Sequence, residues 1–276
     1  MTGSATARAA EQVPLIIEPD RDDPDCAEVL VDGTIAGRPF RFMLDTGAAR
    51  TQVVADEIIA ELSSHAEHRS SGVFATGARP LVTVTDVTVG PLTAETLEIT
   101  RIDAAQPGAC SLLGMDVLGR RCCHFRFDAG LLNLERSPAH RADLDLRVVS
   151  SGHVYVDVAW PGVTARACWD SGAGITIVDQ AFLLAHPGLF AEAGTSAGTD
   201  GTGAQVQTPT FWMTGARIGG AVFAPHRVAC VDLSEVNSTL ARPMDLILGF
   251  TTLRQADWLL DFPARRWTLT RRPASA

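Results

Sequence analysis

The strongest constraint on this chain is a phrase that occurs twice. Arg41-Phe42-Met43-Leu44-Asp45-Thr46-Gly47-Ala48-Ala49-Arg50-Thr51 sets an Asp, a small hydroxyl residue and Gly between apolar stretches. Arg166-Ala167-Cys168-Trp169-Asp170-Ser171-Gly172-Ala173-Gly174-Ile175-Thr176 repeats the pattern, 125 positions later (170 − 45). A lone Asp-Thr-Gly is most simply a turn, because Asp accepts nearby backbone N–H groups and Gly tolerates positive φ. Here each Asp stands between segments that read as buried strands. A carboxylate in such a place loses its hydration, which is costly unless the charge is shared or hydrogen-bonded. Two such sites related by a twofold axis can share one proton.

Further landmarks keep the same order. Val31-Asp32-Gly33-Thr34-Ile35-Ala36-Gly37 precedes Val156-Asp157-Val158-Ala159-Trp160-Pro161-Gly162 by the same 125 positions (156 − 31). Thr76-Gly77-Ala78 matches Thr202-Gly203-Ala204, Val89-Gly90 matches Ile218-Gly219, and Asp103 matches Asp232. Leu112-Leu113-Gly114 matches Ile247-Leu248-Gly249, at an offset of 135 (247 − 112). Offsets that grow only by loop-sized steps predict an internal duplication.

Each repeat reads mostly as strand. Glu28 to Ile35 followed by Arg38 to Leu44 has the alternation and Gly/Pro punctuation of a hairpin, and His153 to Val158 behaves alike. Leu81 to Val89 alternates over its whole length and predicts one apolar and one Thr/Asp face. Helices are few: Ala55 to Leu62, with Ile58, Ile59 and Leu62 on one face, Asp179 to Ala185, and short turns after Gly114 and Gly249. The fold class is all-β with minor helix. The expected organisation is an acidic flexible arm over 1–25, a first lobe over 26–137, a linker over 138–149, a second lobe over 150–272 and a tail over 273–276.

Two carboxylates a few Å apart cannot easily both ionise, so one pKa rises and the other falls. One then acts as base on a water while its protonated partner polarises a carbonyl, hydrolysing an amide with no covalent intermediate. With these residues the chain resembles the aspartic peptidases, its two Asp phrases being closer to retroviral-type proteases (retropepsins) than to pepsins. The resemblance covers about residues 26 to 272 in two copies. It implies two pseudo-twofold related acid-protease β-barrel lobes in one bilobal chain, with Asp45 and Asp170 as the catalytic pair. Thr46 and Ser171 would brace the two loops, and Gly47 and Gly172 would let backbone N–H groups approach the carboxylates. Ala48 and Ala173 stand where pepsins carry Ser or Thr. Losing that hydroxyl raises the carboxylate pKa and predicts activity nearer neutral pH. Gly-rich stretches containing Thr76 and Gly77, and Thr202 and Gly203, match the substrate-covering flaps of the family, although an ordinary hairpin loop explains each almost as well. Trp169 departs from the aliphatic residue usual before the Asp, as core packing or as a distortion of the second loop.

Composition limits the rest. The formal charge of −9 argues against nucleic acid or an anionic membrane surface as partner. All 23 basic residues are arginine, with no cluster among them. No apolar run approaches a membrane span, and Met1 to Gln12 lack the apolar core of a secretion signal. Six cysteines without that signal predict reduced thiols and a cytoplasmic protein. Cys122-Cys123-His124 has no correctly spaced second ligand pair, so no metal and no cofactor is expected. The expected partner is an extended peptide or protein substrate, and one chain suffices for the site. A non-catalytic peptide-binding module that keeps the fold, and a narrow processing protease, are the competing readings.

Overall fold

Short alternating segments separated by Gly and Pro favour hairpins, and hairpins build most of this chain. The computed structural model describes residues 12–71, 76–135, 142–149, 152–199 and 205–273. Strands hold 54 % of it and helices 12 %, which places it in the all-β class with an acid-protease-like fold.

The first half runs β1 (Gln12–Pro14), β2 (Ile16–Pro19), β3 (Ala27–Ile35), β4 (Arg38–Leu44), β5 (Gln52–Val54) and helix α1 (Glu57–Glu61). It continues with β6 (Ala66–Ser71), β7 (Thr76–Val89), β8 (Leu92–Ile102), β9 (Leu112–Leu113), α2 (Met115–Leu118), β10 (Cys122–Arg126) and β11 (Leu131–Glu135). The second half runs β12 (Leu144–Asp145), β13 (Arg147–Val148), β14 (Val154–Trp160), β15 (Val163–Trp169), β16 (Thr176–Asp179) and α3 (Gln180–Ala185). Then follow β17 (Phe190–Thr199), β18 (Gln205–Met213), β19 (Ala216–Ile218), β20 (Ala221–Phe223), β21 (His226–Val231) and α4 (Ser234–Thr239). It closes with β22 (Leu246–Leu248), α5 (Phe250–Leu253), β23 (Asp257–Asp261) and β24 (Arg266–Arg271).

One sheet belongs to each half. The first has the order β2-β3-β4-β9-β5-β8-β7-β6, the second β17-β18-β21-β16-β22-β15-β14-β19-β20, with β13 added on β14. In both, a late strand inserts beside the early hairpin: β9 lies parallel to β4 and antiparallel to β5, and β22 lies parallel to β15 and antiparallel to β16. The inserted strand occupies the place where the preceding strand would otherwise continue its ladder. The chain between β4 and β5, and between β15 and β16, must therefore leave the sheet as a loop. Each loop carries one Asp.

A third sheet, β1-β11-β10-β23-β24-β12, takes three strands from each half in mirrored order. At its centre β10 pairs antiparallel with β23, and His124 faces Leu259. Those two residues are 135 positions apart (259 − 124), the offset of the Leu-Leu-Gly and Ile-Leu-Gly landmarks, so the local twofold axis passes between them. Above this sheet Trp169 packs on Phe125 at 4.8 Å and on Trp258 at 5.8 Å, and Trp258 stacks on Trp267 at 5.6 Å. The residue before the second Asp is thereby fixed in a fully buried aromatic core.

Four expectations need correction. The flexible arm over 1–25 becomes strand from Gln12: β1 pairs with β11 and β2 with β3, because Val13 and Leu15 find apolar cover. The linker over 138–149 contains β12 and β13, which complete the shared sheet and the second sheet. The alternation of Leu81 to Val89 changes phase: Val82 and Val84 are buried, then Val87 and Val89, across Asp86 with its left-handed φ of 53°. Ile58, expected on the buried face of α1, is exposed while Ile59 is buried, because Asp56 caps the helix at Ile58 and Ile59 N–H and sets its rotation.

Candidate active site

Asp45 and Asp170 follow β4 and β15 directly and are held in equivalent ways. Asp45 N–H donates to Leu113 O at 3.1 Å, and Asp170 N–H donates to Leu248 O at 3.0 Å. Met115 N–H reaches Ala48 O at 2.9 Å, and Phe250 N–H reaches Ala173 O at 2.8 Å. The Leu-Leu-Gly and Ile-Leu-Gly landmarks thus clamp both ends of each loop. A Cβ on Gly114 would lie 2.6 Å from Arg50 C, and one on Gly249 2.3 Å from Ile175 O, so only glycine lets the clamp close.

The structure brings the two loops into contact through their hydroxyl residues. Thr46 Oγ1 donates to Trp169 O at 3.0 Å and accepts Ser171 N–H at 3.1 Å. Ser171 Oγ donates to Leu44 O at 2.8 Å and accepts Thr46 N–H at 3.3 Å. Each hydroxyl bonds the opposite loop twice, and both residues are buried. Across this brace one donor serves both carboxyls: Gly47 N–H lies 2.9 Å from Asp45 Oδ1 and 3.2 Å from Asp170 Oδ1. A Cβ on Gly47 would sit 2.5 Å from Asp170 Oδ2, and one on Gly172 2.6 Å from Asp45 Cγ. The two glycines are required by close approach.

Backbone donors surround the pair unequally. Asp45 Oδ1 accepts Gly47 and Ala48 N–H, both at 2.9 Å. Asp170 Oδ1 accepts Gly172 N–H at 2.9 Å and, across the axis, Gly47 N–H at 3.2 Å. Burial pushes the Asp45 carboxyl well above the usual range, and the neighbouring Asp170 charge adds to this. Burial raises Asp170 too, but the Gly172 N–H, the Asp45 hydrogen bond, His153 and the Gly47 N–H favour its ionised form. The Gly47 and Ala48 N–H groups favour charge on Asp45 in turn, so the two carboxyls titrate as one pair. A site of this kind can hold one acid and one base side by side.

Thr76 begins β7, Gly77 pairs with Ser70 in the β6–β7 hairpin, and β17 with β18 forms the matching hairpin of the second half. The Thr76 side chain, Thr202 and Gly203 lie outside the described residues. Beside Trp169 the second loop keeps the clamps and hydroxyl bridges of the first, so the bulk of the indole is absorbed by the core.

Several residues around the loops were not singled out from the sequence. Thr51 N–H and Oγ1–H both donate to the Asp116 carboxylate, at 2.9 and 2.7 Å. Thr176 N–H donates to Thr251 Oγ1 at 3.0 Å, and its hydroxyl meets Thr252 Oγ1 at 2.7 Å. The signal was present in part, since both motifs end in Thr and Asp116 stands two after Gly114. His153 carries no such signal.

Residues 31–120 match a family model. It is that of the gag-polyprotein putative aspartyl protease. The matched stretch includes Asp45, the β6–β7 hairpin and Leu112-Leu113-Gly114, and it supports a retroviral-type aspartyl protease domain with hydrolase character there. No curated protein matches the chain.

Proposed function

We propose that this chain is an aspartic endopeptidase whose two loops arose by internal duplication and whose catalytic pair is Asp45 and Asp170. The observation that carries this reading is that one backbone donor, Gly47 N–H, bonds both carboxyls while reciprocal Thr46 and Ser171 bridges hold their loops together. Asp170, ionised, takes a proton from a water placed against both carboxyls. Asp45, protonated, donates to the carbonyl oxygen of the scissile amide as the water attacks its carbon. The proton gained by Asp170 then passes to the leaving nitrogen as the C–N bond breaks, and a hydroxyl of the collapsing gem-diol returns its proton to Asp45. No covalent enzyme intermediate forms.

The substrate is an extended peptide, which strand-like backbone hydrogen bonds to the two hairpins would hold in register. Thr76, Gly77, Thr202 and Gly203 are the proposed contacts. The two-lobed arrangement makes one chain sufficient, and the free thiols of all six cysteines suit a reducing compartment such as the cytoplasm. The test is digestion of a peptide library with and without pepstatin, a mimic of the tetrahedral intermediate. Cleavage that pepstatin suppresses supports the reading, and an uncleaved library under all pH conditions opposes it.

A further inference from the structure

The two Asp loops are braced from behind by the same hydrogen bonds until the last acceptor, where they part. In the first half Gly114 N–H donates to Thr51 Oγ1 at 3.1 Å, and the Thr51 hydroxyl proton ends on the Asp116 carboxylate. In the second half Gly249 N–H donates to Thr176 Oγ1, also at 3.1 Å. The Thr176 hydroxyl then passes its proton to Thr252 Oγ1 at 2.7 Å, and Thr252 Oγ1 lies 2.7 Å from His226 Nε2. His226 Nδ1 lies 2.8 Å from Ala224 O, an acceptor only, and Gln255 Nε2, 3.0 Å from the same nitrogen, has Thr251 O to bond at 3.2 Å, so we place the ring proton on Nδ1. Nε2 is then the bare acceptor on which the chain of hydroxyls ends. Every member is buried: Thr176 and Thr252 are fully enclosed and His226 is 8 % exposed.

We propose that His226 is a positioning residue for the Asp170 loop, acting as a neutral imidazole through Thr252 and Thr176 where the Asp116 carboxylate acts for the Asp45 loop. The proposal rests on the reading of Asp170 as half of the catalytic pair. Its consequence is directional. A protonated ring would carry a donor at Nε2, forcing Thr252 to turn its hydroxyl back toward Thr176. Thr176 already accepts the Gly249 N–H, and its own proton would have only Gly249 O, 3.4 Å away, to bond. The brace that holds the end of the Asp170 loop would loosen.

The surroundings keep the ring neutral. Burial lowers the His226 pKa below its ordinary value, a bond to Ala224 O opposes this, and the Arg254 guanidinium at the end of α5 lowers it further. Its other close neighbours are uncharged: Gln255 at 3.0 Å and Met213, its register partner on β18. A histidine with a lowered folded pKa contributes stability present above the ordinary value and lost as pH falls through the folded one. The brace of the second loop therefore weakens as the imidazole gains its proton.

The test measures kcat and KM against pH with a cleaved peptide for the wild type, Thr252→Val and Thr252→Ser. Wild-type kcat should fall about tenfold per pH unit on the acid side with KM little changed. Thr252→Val should lower kcat at neutral pH and move the acid limb to lower pH, where protonation of Asp170 alone sets it, Thr252→Ser should restore both, and the alkaline limb should stay in place. In parallel, NMR of the wild type should show the amides of residues 170–176 titrating with the His226 imidazole, and Thr252→Val should uncouple them. An unchanged acid limb in Thr252→Val, or loop amides indifferent to the imidazole titration, would overturn the proposal. If the wild type cleaves no peptide, the proposed function fails, while the NMR titration still decides the role of His226.

Discussion

At the scale of single residues, what matters is where one proton sits. Asp45 and Asp170 are chemically alike: burial raises both carboxyls, the Asp170 charge raises Asp45 as well, and backbone N–H groups favour charge on each. A buried carboxyl with a raised folded pKa binds its proton more tightly folded than unfolded. Its contribution to stability is complete at pH below the ordinary carboxylate value and is lost as pH rises through the folded pKa. The wild type should therefore lose thermal stability as pH rises into that range, whereas Asp45→Asn should stay flat. At neutral pH the variant should melt several degrees higher, by roughly 2–4 °C per kcal/mol of relieved strain for a domain of this size. Calorimetry at a series of pH values checks both. The alanines after each Gly act on the same proton. Ala173→Ser sets a hydroxyl donor beside the Asp170 carboxylate, and the pH optimum should move toward acid by up to about one unit. An unmoved optimum would show that this position does not tune the pair.

Elements explain how the loops are held, and here sequence and structure agree unevenly. The Asp loops, the hairpins before them and the short helices after Gly114 and Gly249 were legible because their landmarks recur at matching offsets. The inserted strands β9 and β22 were not, because two or three apolar residues look alike in any context and only pairing reveals their place. The N-terminal segment was misjudged for a similar reason. Glu18 to Asp25 looks like a solvated acidic run, yet Asp23 is buried and pairs with Arg227 of β21 at 2.6 Å, and Asp25 pairs with Arg254 at 2.7 Å. Its counter-charges lie some two hundred residues away, beyond the reach of any local pattern. This segment straps the first half to the second, helped by Ala27 N–H on Gly174 O. Asp23→Ala leaves the Arg227 guanidinium partly buried without its carboxylate, so it should destabilise the fold by about 3 kcal/mol. Asp25→Ala, at a more exposed pair, should cost under about 1 kcal/mol. Chemical denaturation of the two variants distinguishes a strap from a surface decoration.

For the whole molecule, the shared six-stranded sheet is the feature that joins the two loops. Its axis passes between His124 and Leu259, and Trp169 ties that sheet to the second Asp through Phe125 and Trp258. The repeated landmarks in the sequence implied a twofold relation, but not that each half would give up its last two strands to a common layer. Nothing local in those strands says which sheet they join. With both carboxyls on one chain, specific activity should be constant on dilution through the nanomolar range, in contrast to a site assembled from two separate chains. A loss of activity with dilution would mean that a second copy is needed. The central claim is that Asp45 and Asp170 work as one pair. Its most direct test is cleavage of one defined peptide by the wild type, Asp45→Asn and Asp170→Asn, with folding of each checked by its melting curve. Either single substitution should abolish cleavage while the variants remain folded; a folded variant that cleaves at the wild-type rate would contradict the pair.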